Sequence, residues 1–417
     1  MKLGYKRLGD YIQLVDERNR NLEVETLLGL SMRKEFRKST SNVVGTDMAN
    51  YKIVRKDRFA CDFMSVIRVF KLPVVLQTKD EAILVSPAYS VFEVIDKNAL
   101  MPEYLMLWFR RSEFDRYCFF KCDSAVRGGF NWTELCETEI NIPSLDKQKE
   151  IIAEYEAVEN RIQLNKKLCA TLEETAQTIY KHWFEDFEFS VSRHCEEEGT
   201  TDEAIPSIGY KSSGGEMVEC EELGKEIPKG WRVGTVKEFC IEMKNGATPS
   251  RDNLDYWNRK DIPWLKTGEI KNNIIIKAEE YISELGHKNS STKFLPINTV
   301  LMAMYGANAS DLAFLKFETT TNQACCGMIC ESYEKSCFLY YSLLNIQDFV
   351  KSLAIGGAQP NISKNIIEEI KIIIPHDDVI NDSGFDIIVD KLEAVTRQSQ
   401  KLEEVKSLLL GKMAVEL

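Results

Sequence analysis

At 417 residues and 44% hydrophobic content, the chain exceeds one ordinary domain and has apolar side chains enough for two or three cores. No run approaches the ~18–20 apolar residues of a membrane span, and Met1-Lys2-Leu3-Gly4-Tyr5-Lys6-Arg7 lacks the apolar stretch of a signal peptide, so a cytosolic protein is expected. A formal charge of −12 speaks against a nucleic-acid binder until it is partitioned.

Residues 1–143 hold 22 basic and 20 acidic side chains, and residues 231–375 hold 16 of each. The negative excess lies in 144–190, 191–230 and 376–417. Two near-neutral bodies on an acidic frame are compatible with DNA, because local patches set the field a phosphate meets.

In chain order, residues 1–143 read as an α+β domain. Ile83-Leu84-Val85 and Val91-Phe92-Glu93-Val94-Ile95 are strand-like, and a helix begins at Glu103 after Met101-Pro102. A glycine turn at Gly128-Gly129 then leads to the short apolar run Glu139-Ile140-Asn141-Ile142, stopped by Pro143. From Leu145 to about Phe187 a helical stripe passes through Ile151, Tyr155, Val158, Ile162, Leu168, Leu172, Thr175, Ile179 and Trp183, with Asn165 as a polar interruption. Residues 191–230 are polar, carry Pro206, Gly214-Gly215 and Pro228, and read as a linker.

Residues 231–375 repeat the plan. Val300–Met304 and Gly327–Cys330 are strand-like, and a helix is expected through Cys337–Leu344. A turn at Gly356-Gly357-Ala358-Gln359 precedes Glu369–Ile374 and Pro375. The C-terminal stripe follows as Ile388, Leu392, Val395, Ser399, Leu402, Val405, Leu409 and Met413. The whole "domain, then helix" unit thus recurs after about 230 residues, and such repeats outrank single residues as evidence. A helix of ~40 residues is ~60 Å long, and two matching stripes favour pairing with each other.

No phosphate-cradling, dinucleotide, methyltransferase or nucleophile-elbow motif is present, so the chain is not expected to be an enzyme by itself. Twelve cysteines include no Cys-x-x-Cys pair, and none of the four histidines sits at ligand spacing from the densest cluster, Cys325, Cys326 and Cys330 with Cys337 beyond; buried thiols rather than a metal site are expected. What stands out is chemistry suited to phosphates and base edges. The first domain offers Lys34, Arg37, Lys38, Ser41, Asn42 and Arg55, with Arg127 at its glycine turn. The second offers Lys244, Thr248, Ser250, Arg251, Lys266, Thr267, Tyr305, Asn308, Asn322, Gln323, Gln359 and Asn361. Taken singly, each is also ordinary loop chemistry.

Several of these segments together resemble the specificity subunits of type I restriction–modification systems across nearly the whole chain. They are Val44–Val54, Val85–Phe92, Ala176–Phe187, Ile227-Pro228-Lys229-Gly230-Trp231, Thr248-Pro249-Ser250, Ile262–Gly268 and Thr321-Asn322-Gln323-Ala324. The first turn departs from the family by lacking the Gln that the second has as Gln359. The resemblance implies an α+β protein with two target recognition domains, 1–143 and 231–375. They are separated by two long helices, 144–190 and 376–417, which pair as an antiparallel coiled coil in a pseudo-two-fold repeat. It further implies a non-catalytic reader of a bipartite site on double-stranded DNA, partnered by two modification subunits and a translocating, cleaving subunit. No cofactor is expected in this chain: S-adenosylmethionine, ATP and Mg would belong to the partners. Two other readings stay open from the residues alone: a coiled-coil adaptor that binds only proteins, and an enzyme whose site carries no recognised motif.

Overall fold

A computed structural model of the chain describes residues 5–39, 46–124, 129–190, 209–354 and 361–413. It divides into two units, Met1–Gln163 with Gln400–Leu417, and Leu164–Ser399. Each unit holds one mixed domain and one half of each long helix.

In the first unit an antiparallel sheet runs in the order Ile12–Leu14, Ser90–Val94, Arg58–Cys61, Val74–Leu76. Side chains alternate between its faces with the period of two that a pleated strand imposes. Phe59, Cys61, Val74, Leu76 and Phe92 join one core, while Ala60, Val75 and Val91 join the other. Phe59 and Phe92 face each other in register and stack at 4.8 Å. The helix Pro102–Arg110 covers that face, beginning with a proline that needs no intrahelical donor. Its Phe109 meets Phe59 edge-on at 5.8 Å.

The second unit reuses this order as Glu242–Asn245, Cys325–Ile329, Val300–Ala303, Leu312–Leu315, and adds Asn273–Ile275 in parallel at the far edge. Again Val300, Met302, Phe314 and Met328 point to one core, and Leu301, Ala303, Ala313 and Leu315 to the other. The helix Tyr333–Asn345 packs on the first of these faces, N-capped by Ser332, whose Oγ accepts from Lys335 N–H at 3.2 Å.

In both units the strand that enters the domain pairs with the strand that leaves it. Tyr5–Arg7 lies antiparallel to Glu139–Asn141, and Arg232–Thr235 to Lys371–Ile374. The helix Leu145–Tyr180 follows the first clasp and continues as a π-turn over Lys181–Glu185. The helix Phe385–Lys412 follows the second, after the short helix Asp377–Asp382.

Within each unit the two long helices pack with reversed order of contacts. In the first, Glu159 meets Lys406 at 2.6 Å, and Ile152 and Tyr155 share a core with Met413. In the second, Asn165 meets Ser399 at 3.0 Å, and Tyr180 lies 6.4 Å from Phe385. The pairing is antiparallel.

Two expectations are corrected. The seam of the first long helix runs through Ile162, Asn165, Ala176, Tyr180 and Phe184, all buried, whereas Leu168 is 45% exposed. Asn165 therefore belongs to the stripe and does not interrupt it: steps of three and four from Ile162 reach Asn165 and Cys169, not Leu168. The segment read as a linker is also folded in part, since Met217–Cys220 and Lys225–Pro228 form a hairpin. Its Val218–Ile227 cross-strand pair was hidden among acidic neighbours. Among the described residues, no helix is long and apolar enough to cross a membrane.

Candidate nucleic-acid interface

The sheet register decides which loops share an edge. In the second unit Asn245 pairs with Cys326 and Ala303 with Cys325, so the loops after Asn245 and Ala303 and before Cys325 leave from one end. The strand Ile262–Leu265 brings a fourth loop there, with Asn322 N–H donating to Leu265 O at 3.0 Å. Ala247 N–H donates to Thr321 O, Met304 N–H to Ala324 O, and Ile362 N–H to Met304 O. These bonds knit the loops into one rigid surface. Gly246 makes the closest approach possible, because a Cβ there would stand 2.0 Å from Thr321 O.

That surface gathers most of the second-domain candidates. Thr248 Oγ1 donates to Gln323 Oε1 at 2.6 Å, and Thr267 Oγ1 to Asn322 Oδ1 at 3.0 Å. The Arg251 guanidinium lies 3.5 Å from the Trp257 ring centroid and 4.9 Å from that of Trp264, a stacked cation on an aromatic base. Both indoles are themselves tied down: Trp257 Nε1 donates to Ser250 O, and Trp264 Nε1 to Ala247 O. Glu280 holds Arg251 and Lys266, each at 2.8 Å. Burial of Glu280 would raise its pKa, but the bonds from Lys266 and Arg251 outweigh this and leave it lowered. Tyr305 is 41% exposed and bridges to Asn361 through the backbone. Asn308 Nδ2 donates to Ile270 O at 2.8 Å, and Lys244 pairs with Glu242 at 2.8 Å. Gln359 lies outside the described residues. Trp257 and Glu280 were missed by sequence reasoning; the spacing of neither signals its role.

In the first unit the corresponding end follows Leu14 and Cys61 and precedes Ser90, since Cys61 pairs with Ser90. Lys52 Nζ donates to Tyr89 O at 2.6 Å, and Arg18 bridges to Lys52 and donates to Asn50 O at 2.9 Å. Lys52, Arg18 and Tyr89 are thus edge residues that the candidate set lacked. Arg55 is bound twice by Glu17, at 2.6 and 2.9 Å, while Arg58 bridges Glu17 and Glu93. Arg37 and Lys38 are exposed on the strand Phe36–Lys38. Ser41, Asn42 and Arg127 lie outside the described residues.

Lys34 is a correction. Its backbone turns at φ 60° and sends the side chain inward, where it is 4% exposed. There Nζ lies 2.8 Å from Asp115 Oδ1 and donates to Phe109 O. Burial lowers its pKa although Asp115 opposes the shift. The side chain is an internal strut and not available to a phosphate.

Comparison with known proteins agrees with this architecture. Residues 73–174 and 228–407 match the family model of the type I restriction modification DNA specificity domain, and the chain belongs to that family. It is a specificity subunit, the non-catalytic component through which such systems recognise DNA targets. The chain is 26% identical to the type I restriction enzyme HindI specificity subunit of Haemophilus influenzae over 368 residues, covering 77% of this chain and 79% of that one. It is 23% identical to the MjaIX specificity subunit of Methanocaldococcus jannaschii over 331 residues, covering 77% and 70%. The crystal structure of the type I S subunit from M. genitalium shares the fold, with a TM-score of 0.52 and 13% identity, covering 99% of this chain and 96% of that one.

Proposed function

We propose that this chain reads a bipartite duplex target, each unit contacting one half through the loop end of its sheet. The paired long helices fix the spacing between the halves. The observation that carries the reading is the convergence of Thr248, Arg251, Lys266, Asn322 and Gln323 on one bonded surface, with the same sheet end repeated in the first unit. Cations there neutralise phosphates, and amides and hydroxyls address base edges. Two such domains with opposed helices suit half-sites read in opposite directions.

Two modification subunits and a translocating, cleaving subunit complete the assembly in this reading. S-adenosylmethionine, ATP and Mg act in those partners, and the complex works in the cytoplasm on chromosomal and invading DNA. The test is duplex selection by the full chain in complex with its modification subunits, followed by affinity measurements at several salt concentrations. The expected result is a split motif and an affinity that falls steeply with salt. Binding to partners with no DNA motif would favour the adaptor reading instead. Adding or removing whole turns in both long helices is expected to change the tolerated spacer, and an unchanged spacer would refute the ruler.

A further inference from the structure

Among the amides of the second unit on the candidate interface, the hydrogen bonds of Asn322, Asn308 and Gln323 sort these three. Asn322 Oδ1 accepts from Thr267 Oγ1, from Ala324 N–H and from Cys325 Sγ, so its acceptor side is occupied by the protein. Asn308 spends its Nδ2 on Ile270 O, and the residue is half-buried. Gln323 differs. It is exposed, and its amide oxygen accepts from Thr248 Oγ1, which reaches it from a loop 75 residues away in sequence.

That bond restrains the amide without using up its edge. An amide oxygen has two lone pairs and the NH₂ has two protons, so one acceptor and one donor stay free side by side. The same count holds if the oxygen and nitrogen exchange places. An adjacent acceptor and donor match the N6 amino group and N7 of adenine in the major groove. Thr248 is held in turn by the loop whose Ala247 N–H is bonded to Thr321 O. Preorganisation of this kind removes the rotamer entropy that a free glutamine would lose on binding.

We infer that Gln323, oriented by Thr248, specifies an adenine in the half-site read by the second unit. This rests on the DNA-reading role proposed above and adds the identity of one base and of the pair that reads it. Thr248 is here a positioning residue, since it acts through Gln323.

The experiment is selection from a duplex library randomised across the target, using the full chain in complex with its modification subunits. Gln323→Ala is expected to lose preference at one A·T pair, by roughly 5- to 150-fold, with every other position of the motif retained. Gln323→Glu, which can only accept, is expected to shift that position towards cytosine. Thr248→Val is expected to weaken the same position, and Thr248→Ser to keep it. An unchanged motif in Gln323→Ala, a uniform loss over all positions, or a lost preference at a G·C pair would each overturn the inference while leaving DNA recognition intact. If the unaltered protein selects no motif, the DNA-reading role itself fails.

Discussion

Asn165 Nδ2 donates to Ser399 Oγ at 3.0 Å across the paired helices, and that hydroxyl itself donates to Val395 O at 2.9 Å within its own helix. Asn165 is 2% exposed, so its amide has exchanged water for this partner. A buried polar residue in an otherwise apolar seam costs stability and fixes register, because a slipped pairing would strand it.

The two partners are therefore not equivalent to mutation. Ser399→Ala orphans a buried donor and is expected to cost about 1–3 kcal/mol in chemical denaturation of the full chain. Asn165→Leu leaves the serine bonded to Val395 and is expected to be neutral or stabilising. Equal losses from both substitutions would contradict this account.

The buried position of Lys34 separates it from its exposed neighbours. Arg37→Ala and Lys38→Ala are each expected to reduce the slope of log affinity against log salt by up to about 0.9, the value of one phosphate contact. Lys34→Met is expected to leave that slope unchanged. Asp115→Asn is expected to cost about 3–5 kcal/mol in stability, since it leaves a buried cation without its counter-charge. A slope change in Lys34→Met with unaltered stability would return the residue to the interface.

Glu159 and Lys406 predict an acid-sensitive contact in the first unit. Burial would raise the Glu159 pKa, but hydrogen bonds from Lys406 and Gln163 outweigh it and leave the value below the ordinary 4.5. Burial likewise opposes the Lys406 shift, yet the bond to Glu159 carries its pKa upward from 10.5. A lowered carboxylate pKa stabilises the fold above about pH 4.5, and that stability is lost as pH falls through the folded value. Lys406→Met is expected to flatten this acid limb in a series of unfolding curves from pH 6 down to about pH 3.

Glu173, half-buried in the first long helix, has the opposite sign. Burial alone raises its pKa from 4.5. Here the folded state binds the proton more readily, so stability rises as pH falls, and the ionised group costs stability at neutral pH. Glu173→Gln is expected to raise the melting temperature at pH 7, with the advantage shrinking as pH falls through the raised folded value and gone below about pH 4.5. A pH-independent advantage would point to a packing effect.

The elements that sequence made legible are those with strong periodicity. Ser90–Val94, Pro102–Arg110, Tyr333–Asn345 and both long helices stand close to where alternation and helical spacing place them. The error at Asn165 came from treating polarity as a break, when a hydrogen bond across the seam satisfies it. The clustering of candidates in the second unit was legible because its loops are rich in glycine, amide and hydroxyl side chains. It was obscure in the first, where Arg18 and Lys52 meet through a bridge between segments whose spacing gives no hint of proximity. Lys34 misled because a cation in a charged run looks exposed, and only the left-handed turn at that residue shows otherwise.

The two clasps, Tyr5–Arg7 with Glu139–Asn141 and Arg232–Thr235 with Lys371–Ile374, bring the chain out of each domain beside the point where it went in. Everything between the clasped strands is a cassette with both ends at one address. Recombination that replaced the contents with a body of different length and different loops would leave the following helix with the same starting point. The protein can thus inherit a new vocabulary one cassette at a time and keep its grammar.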